Sequence, residues 1–168
     1  MGVYNIRQVE GGYLKCSSCQ ETKPETFFNK SNSKKNTSKK TYVCKDCAKK
    51  KNRKYKNTET GYKNNLWNNL VGNAKRRNIP VLICKEDIDV IYKEQKGLCA
   101  VTGMPMEYVS GVESKNSFAV SVDRIDSNKG YTKDNVRLVC ARVNLIKMEM
   151  EDEQMKYWCE AITKGLRK

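Results

Sequence analysis

Along the chain, polar stretches without apolar rhythm alternate with short segments in which apolar residues recur at fixed intervals. From Gly61 to Asn78, Leu66, Trp67, Leu70, Val71 and Ala74 fall at helical spacing, which predicts an amphipathic helix. "IPVLIC" reads as a short extended piece, because Ile79 precedes a proline. In "KEDIDVIYKEQKG", Ile88, Ile91, Tyr92 and Gln95 share one helical side. Acidic residues fill its first turn and Gly97 ends it, as the helix dipole and C-capping favour. Phe118, Val120 and Val122 then alternate, predicting a strand that ends in Asp123 and Arg124. "SNKG" turns the chain, with Gly130 suited to positive φ. Val136, Leu138 and Cys140 alternate along a return strand. Val143, Ile146, Lys147 and Met150 suit a helix after it. Met155, Trp158, Cys159 and Ile162 suit a final helix, whose apolar side is either core or a dimer face.

The first 56 residues carry no such rhythm, and cysteines stand in its place. "CSSC" and "CKDC" place Cys16, Cys19, Cys44 and Cys47 in two pairs. Each pair suits a tight knuckle turn, and two knuckles complete a tetrahedral Zn²⁺ site. Phe27 and Phe28 are expected to pack beneath the metal. The Ser-, Asn- and Lys-rich "NKSNSKKNTSKK" between the knuckles has no core-forming pattern and reads as a mobile loop. After it, Lys49, Lys50, Lys51, Arg53, Lys54 and Lys56 form a basic run that is either a solvated helix end or a grip on phosphates. Arg76 and Arg77 add a second basic pair.

Charge turns this pattern toward a partner. The chain holds 33 Lys and Arg against 19 Asp and Glu, a net +14 over 168 residues. Such an excess points to a polyanion, most simply nucleic acid. No apolar run reaches the roughly 18 residues of a membrane span, and "MGVYNIRQVEGGYLK" lacks a signal-peptide core. A cytoplasmic, reducing location is expected, so the eight cysteines read as metal ligands or buried thiols rather than disulfides. With only 3 Phe and 2 Trp, part of the fold needs a staple such as a metal.

The predicted hairpin and helix bring chemistry together. Asp123 ends the first strand and Asn144 lies on the helix packed across it. A carboxylate and an amide oxygen suit a hard cation such as Mg²⁺ or Mn²⁺ that keeps several waters. Val122 to Lys147, "VDRIDSNKGYTKDNVRLVCARVNLIK", resembles the HNH endonucleases (ββα-metal or His-Me finger nucleases). The closer likeness is to rare-cutting restriction endonucleases of Pac type, which also look like a Cys₄ module followed by an HNH unit. The resemblance implies metal-dependent hydrolysis of phosphodiester bonds in double-stranded DNA. It assigns Asp123 and Asn144 to the metal and Asn135 to bracing the loop.

The chain has no histidine, and Arg124 stands where the family's catalytic histidine would be. A guanidinium stays protonated and cannot be a general base. It can clamp the scissile phosphate and stabilise developing charge. The proton then goes to Tyr131, to Tyr108, or to no protein group if the metal alone activates water. Asp126 reads as a turn cap. "GLCAVTGMPM" and "CARVN" resemble the family's own zinc knuckles in degenerate form. Thr102 and Val143 stand where cysteines would, leaving Cys99 and Cys140, with Cys84 and Cys159 as the remaining thiols.

The expected fold is α+β. Residues 1–56 form a zinc module with a basic run, 57–97 a helical connector, and 98–168 an HNH-type core with a C-terminal helix. The expected function is a DNA endonuclease of restriction, homing or phage kind, with structural zinc, catalytic Mg²⁺ or Mn²⁺, no membrane association, and a homodimer left open. The alternative is a catalytically weak or inactive zinc-dependent DNA- or RNA-binding protein.

Overall fold

The computed structural model describes residues 8–9, 11–32, 39–109 and 116–167. The chain divides after Tyr55 into two compact units.

In the first unit, strands β1 (Gln8–Val9), β2 (Tyr13–Lys15) and β3 (Thr22–Pro24) form an antiparallel sheet. A single 3₁₀ turn at Glu25–Phe27 leads into β4 (Phe28–Lys30), which pairs with β5 (Lys40–Cys44). Helix α1 (Lys45–Lys56) follows directly. The "mobile" stretch thus begins and ends in a hairpin, while its centre, residues 33–38, lies outside the described residues. Leu14, Cys16, Phe28 and Cys44 form the core of this unit. Phe28 is buried as expected, but Phe27 is 47% exposed. Successive residues around the turn cannot both face a core this small, and the Phe27 ring lies 6.0 Å from the Lys23 ammonium. The six residues of the basic run are all exposed on α1, which buries no side chain.

The second unit is built on one hairpin, β6 (Val120–Arg124) against β7 (Val136–Cys140). Its register pairs Val120 with Cys140 and Asp123 with Arg137. Three helices surround it: α2 (Glu59–Arg76), α3 (Lys85–Glu94) and α4 (Ala141–Lys147). A last helix, α5 (Asp152–Leu166), follows. Helices α2 and α3 do not stand apart as a connector. Tyr62, Leu66 and Trp67 of α2 and Ile88 and Ile91 of α3 share one core with Val120, Leu138 and Val139. The Tyr62 hydroxyl donates to the Val120 carbonyl (2.8 Å). At the end of α3, the Gln95 side chain accepts from Leu138 N–H (2.9 Å) and donates to Leu138 C=O (2.9 Å). An amide side chain thereby pairs with β7 as a neighbouring strand would.

Several sequence expectations change here. Phe118 precedes β6 and is exposed. Helix α4 stops at Lys147 because Met148 takes φ +49, so Met150 belongs to the connection, and Ile146 is exposed. Of the apolar set on α5 only Met155 is buried. Gly130 is not among the glycines with positive φ. A Cβ there would lie 2.6 Å from Pro80 Cγ and 2.7 Å from Pro80 O, so the position needs glycine for close approach. The Tyr131 N–H donates to that same Pro80 carbonyl (2.9 Å). No described helix is long and apolar enough to cross a membrane.

Candidate active site and metal centre

The two cysteine pairs converge. Cys16 and Cys19 flank the turn after β2. Cys44 ends β5, and Cys47 lies in the first turn of α1. Their sulfurs all lie within 4.8 Å of one another. A tetrahedral Zn²⁺ with bonds of about 2.3 Å sets sulfurs about 3.8 Å apart, so a small contraction makes the site. Cys16 is fully buried and its sulfur accepts from the N–H groups of Cys44 (3.3 Å) and Ser18 (3.4 Å). Burial pushes its thiol up, but these backbone donors together outweigh it and bring the pKa to about 6. For Cys19 the Glu21 backbone pulls down, yet burial and the neighbouring sulfurs push it up to about 12. The donor set fits zinc. Among the described residues no second group of His, Cys, Asp or Glu gathers in this way.

The degenerate knuckles also meet. Cys140 N–H donates to Cys99 Sγ (3.3 Å), and both thiols are buried. Burial raises the Cys99 thiol, but the Thr102 hydroxyl and backbone donors lower it further. Burial and Cys99 push Cys140 up to about 11. Val143 packs against the same core. The Thr102 hydroxyl lies beside these two thiols, while Cys84 and Cys159 are exposed.

Residues of the β6–β7 hairpin and α4 line a cleft of about 360 Å³. Helix α2 gives Asn69 and Asn73, and its C-cap residue Arg77, to one wall. Ser121 to Arg124 of β6, Tyr131, and Asn144 of α4 complete it. Asn135 is buried behind the loop. Its amide oxygen accepts from Asp126 N–H (2.9 Å), and its nitrogen donates to Asp126 C=O (3.0 Å) and Gly130 C=O (2.9 Å). Asp126 itself caps the turn, taking the Asn128 N–H (2.9 Å).

Arg124 is drawn inward. Its Nη1 donates to Ser127 C=O (2.6 Å) and Lys129 C=O (2.7 Å), and the guanidinium lies 5.4 Å from the Tyr131 ring centroid. Nη1 is therefore spent on the turn, while Nε and Nη2 make no hydrogen bond among the described residues.

Asn144 Nδ2 donates to Ser121 Oγ (2.7 Å) and Val122 C=O (3.2 Å). Its Oδ1 is left without a hydrogen bond among the described residues. Asp123 is 4% exposed. Lys147 Nζ reaches both of its oxygens (3.1 and 3.2 Å), and Arg137 Nε reaches Oδ2 (2.9 Å). Each carboxylate oxygen carries two lone pairs, so Oδ2 is filled and Oδ1 retains one. One carboxylate oxygen plus one amide oxygen fits a hard cation that keeps most of its waters.

Lys147 was not anticipated as a site residue. It is 0% exposed, and its Nζ also donates to Arg124 C=O (2.6 Å) and Ile125 C=O (3.2 Å). The available signal was its spacing, three residues after Asn144 on one helical face. Arg137 was missed too. It forks onto Asp152 at the start of α5 (2.7 and 2.5 Å). That pairing holds Asp152 below the usual carboxylate range and raises Arg137.

Tyr108 does not line the cleft. It lies in the core, 4.6 Å from the Tyr92 ring and with the Lys63 ammonium 4.4 Å from its own ring centroid. Burial raises its pKa, and among the described residues its hydroxyl has no hydrogen-bond partner. Arg76 donates to Asn73 (3.0 Å), and Arg77 pairs with Glu149 (2.8 Å).

No protein-family model matches the chain, and no curated protein does. Among solved structures it is similar to PacI, a rare-cutting HNH restriction endonuclease, at 22% identity and a TM-score of 0.44, covering 90% of this chain and 94% of that one.

Proposed function

We propose that the protein is a metal-dependent DNA endonuclease of the HNH type, with a structural Zn²⁺ on Cys16, Cys19, Cys44 and Cys47. The observation that carries the reading is the convergence of Asp123, Arg124, Tyr131 and Asn144 on one cleft whose loop Asn135 braces. A Mg²⁺ or Mn²⁺ ion held by Asp123 Oδ1 and Asn144 Oδ1 would supply Lewis-acid charge beside the scissile phosphate and lower the pKa of water. Arg124 Nε and Nη2 bind that phosphate and stabilise the charge that builds on it. A proton from the attacking water would pass to Tyr131 Oη as its phenolate, or to solvent if the metal alone activates the water. The exposed cations of α1, with Arg76 and Arg77, grip backbone phosphates and position the duplex without reading its bases.

One observation favours a second reading, that of a zinc-dependent DNA- or RNA-binding protein with weak catalysis or none. Asp123 already carries two cations, Lys147 and Arg137. Zinc-loaded protein incubated with supercoiled plasmid separates the two. The endonuclease reading expects nicking with Mg²⁺ or Mn²⁺, none with EDTA, and loss in both Asp123→Ala and Asn144→Ala. Tight DNA binding without any nicking would establish the binding protein instead.

A further inference from the structure

Asp123, Arg137, Asp152 and Lys147 form a continuous ion-paired quartet. Lys147 Nζ is 3.1 Å from Asp123, Arg137 bridges Asp123 (2.9 Å) and Asp152 (2.5 Å), and Lys147 is 3.9 Å from Asp152. Two carboxylates and two cations cancel. A divalent cation approaching Asp123 Oδ1 therefore meets a neutral cluster, with the Arg124 guanidinium adding positive charge in the same cleft. A lone exposed carboxylate would attract it; this one does so weakly. A DNA phosphate entering the cleft supplies the missing negative charge.

We infer that Arg137 is a positioning residue that makes cation binding at Asp123 depend on bound DNA, with Asp152 setting how much of its charge Asp123 feels. The inference rests on the endonuclease reading of this cleft. Without DNA the cation site stays nearly empty, which keeps the enzyme inert. With a phosphate in place, cation and phosphate bind cooperatively, and by linkage each strengthens the other by the same factor.

The geometry gives the two arms of the quartet opposite signs. Arg137→Gln leaves the cluster at −1 and should tighten Mn²⁺ binding without DNA by about tenfold. Asp152→Asn leaves it at +1 and should weaken that binding several-fold. The Asp152 side chain is 44% exposed, so this variant folds even if Arg137→Gln does not. A merely structural role would give both variants the same sign.

The test is Mn²⁺ titration of the zinc-loaded full chain, followed by electron paramagnetic resonance, with and without a pool of random-sequence duplex DNA. Asp123→Asn with the same DNA gives the background. The Asp123-dependent affinity should rise about tenfold or more with DNA in the wild type. In Arg137→Gln the gain should shrink, because the cation already meets a net negative cluster before DNA arrives. If Asp123-dependent Mn²⁺ binding exists but both variants leave it within about twofold, or move it in one direction, this inference is overturned and the endonuclease reading stands. If Mn²⁺ binding with DNA is the same in wild type and Asp123→Asn, and plasmid stays intact, the endonuclease reading itself has failed.

Discussion

Lys147→Met tests whether the buried ammonium holds the site together. Methionine keeps most of the side-chain volume, so the change removes charge and donors more than packing. Lys147 is wholly buried, and its three N–H groups serve four acceptors, at least one shared: both Asp123 oxygens and the carbonyls of Arg124 and Ile125. Breaking a buried ion pair costs about 3–5 kcal/mol when the remaining charge is stranded. Asp123 keeps Arg137, which argues for the lower end. Two carbonyls lose a charged donor, at about 1 kcal/mol each. The sum for Lys147→Met is about 5 kcal/mol. Urea unfolding followed by tryptophan fluorescence reads it directly, because Trp67 and Trp158 both lie in the second unit. At a typical slope of about 1–3 kcal/mol per molar, the midpoint should fall by more than about 1 M at unchanged slope. A variant within about 0.5 kcal/mol of wild type would refute the claim that Lys147 is structurally committed to Asp123.

Gly130→Ala should destabilise the second unit by about 1–3 kcal/mol through its collision with Pro80, whereas Gly72→Ala, mid-helix with open space around it, should stabilise it by up to about 1 kcal/mol; thermal melts distinguish them. Asn135→Ala removes three loop hydrogen bonds and should abolish plasmid nicking while duplex binding in a gel-shift assay survives. Cys44→Ser should lose bound zinc by metal analysis and collapse the first unit without moving the urea midpoint of the second. For Asp152 the folded pKa lies below its unfolded value of 3.8, so its stabilisation is present above that value and lost as pH falls through the folded one. The stability gap between wild type and Asp152→Asn, at most about 1 kcal/mol for a partly exposed pair, should therefore hold at neutral pH and close below about pH 4.

What the sequence disclosed followed the range of the interactions. The cysteine pairs and the Asn135 loop are local, and their spacing alone carries their geometry. The hairpin and α4 were legible because strand alternation and helical spacing repeat within a few residues. Lys147 was opaque because a lysine in an amphipathic pattern reads as surface, and only the fold reveals that it meets Asp123. Gly130 was read as a turn glycine, yet its constraint comes from Pro80, fifty positions away by number but adjacent in space. Tyr108 and Tyr131 looked equivalent as proton acceptors. Core packing removes the first from the cleft and β-bridging to Val81 holds the second beside it. Arg137 was passed over because strand alternation flags apolar faces, while its partner across the ladder is polar.

The pairing of Gln95 with Leu138 has a consequence for the chain in company. A two-stranded sheet exposes open backbone along its flank, where another extended segment can attach and seed aggregation. Here the N–H and C=O of Leu138 are already taken by a side chain, and Ala100 N–H adds a second donor to that carbonyl (3.0 Å). A foreign strand could dock beside β7 at this point only by first prising the end of α3 away, so the helix serves the sheet as a guard against its own kind.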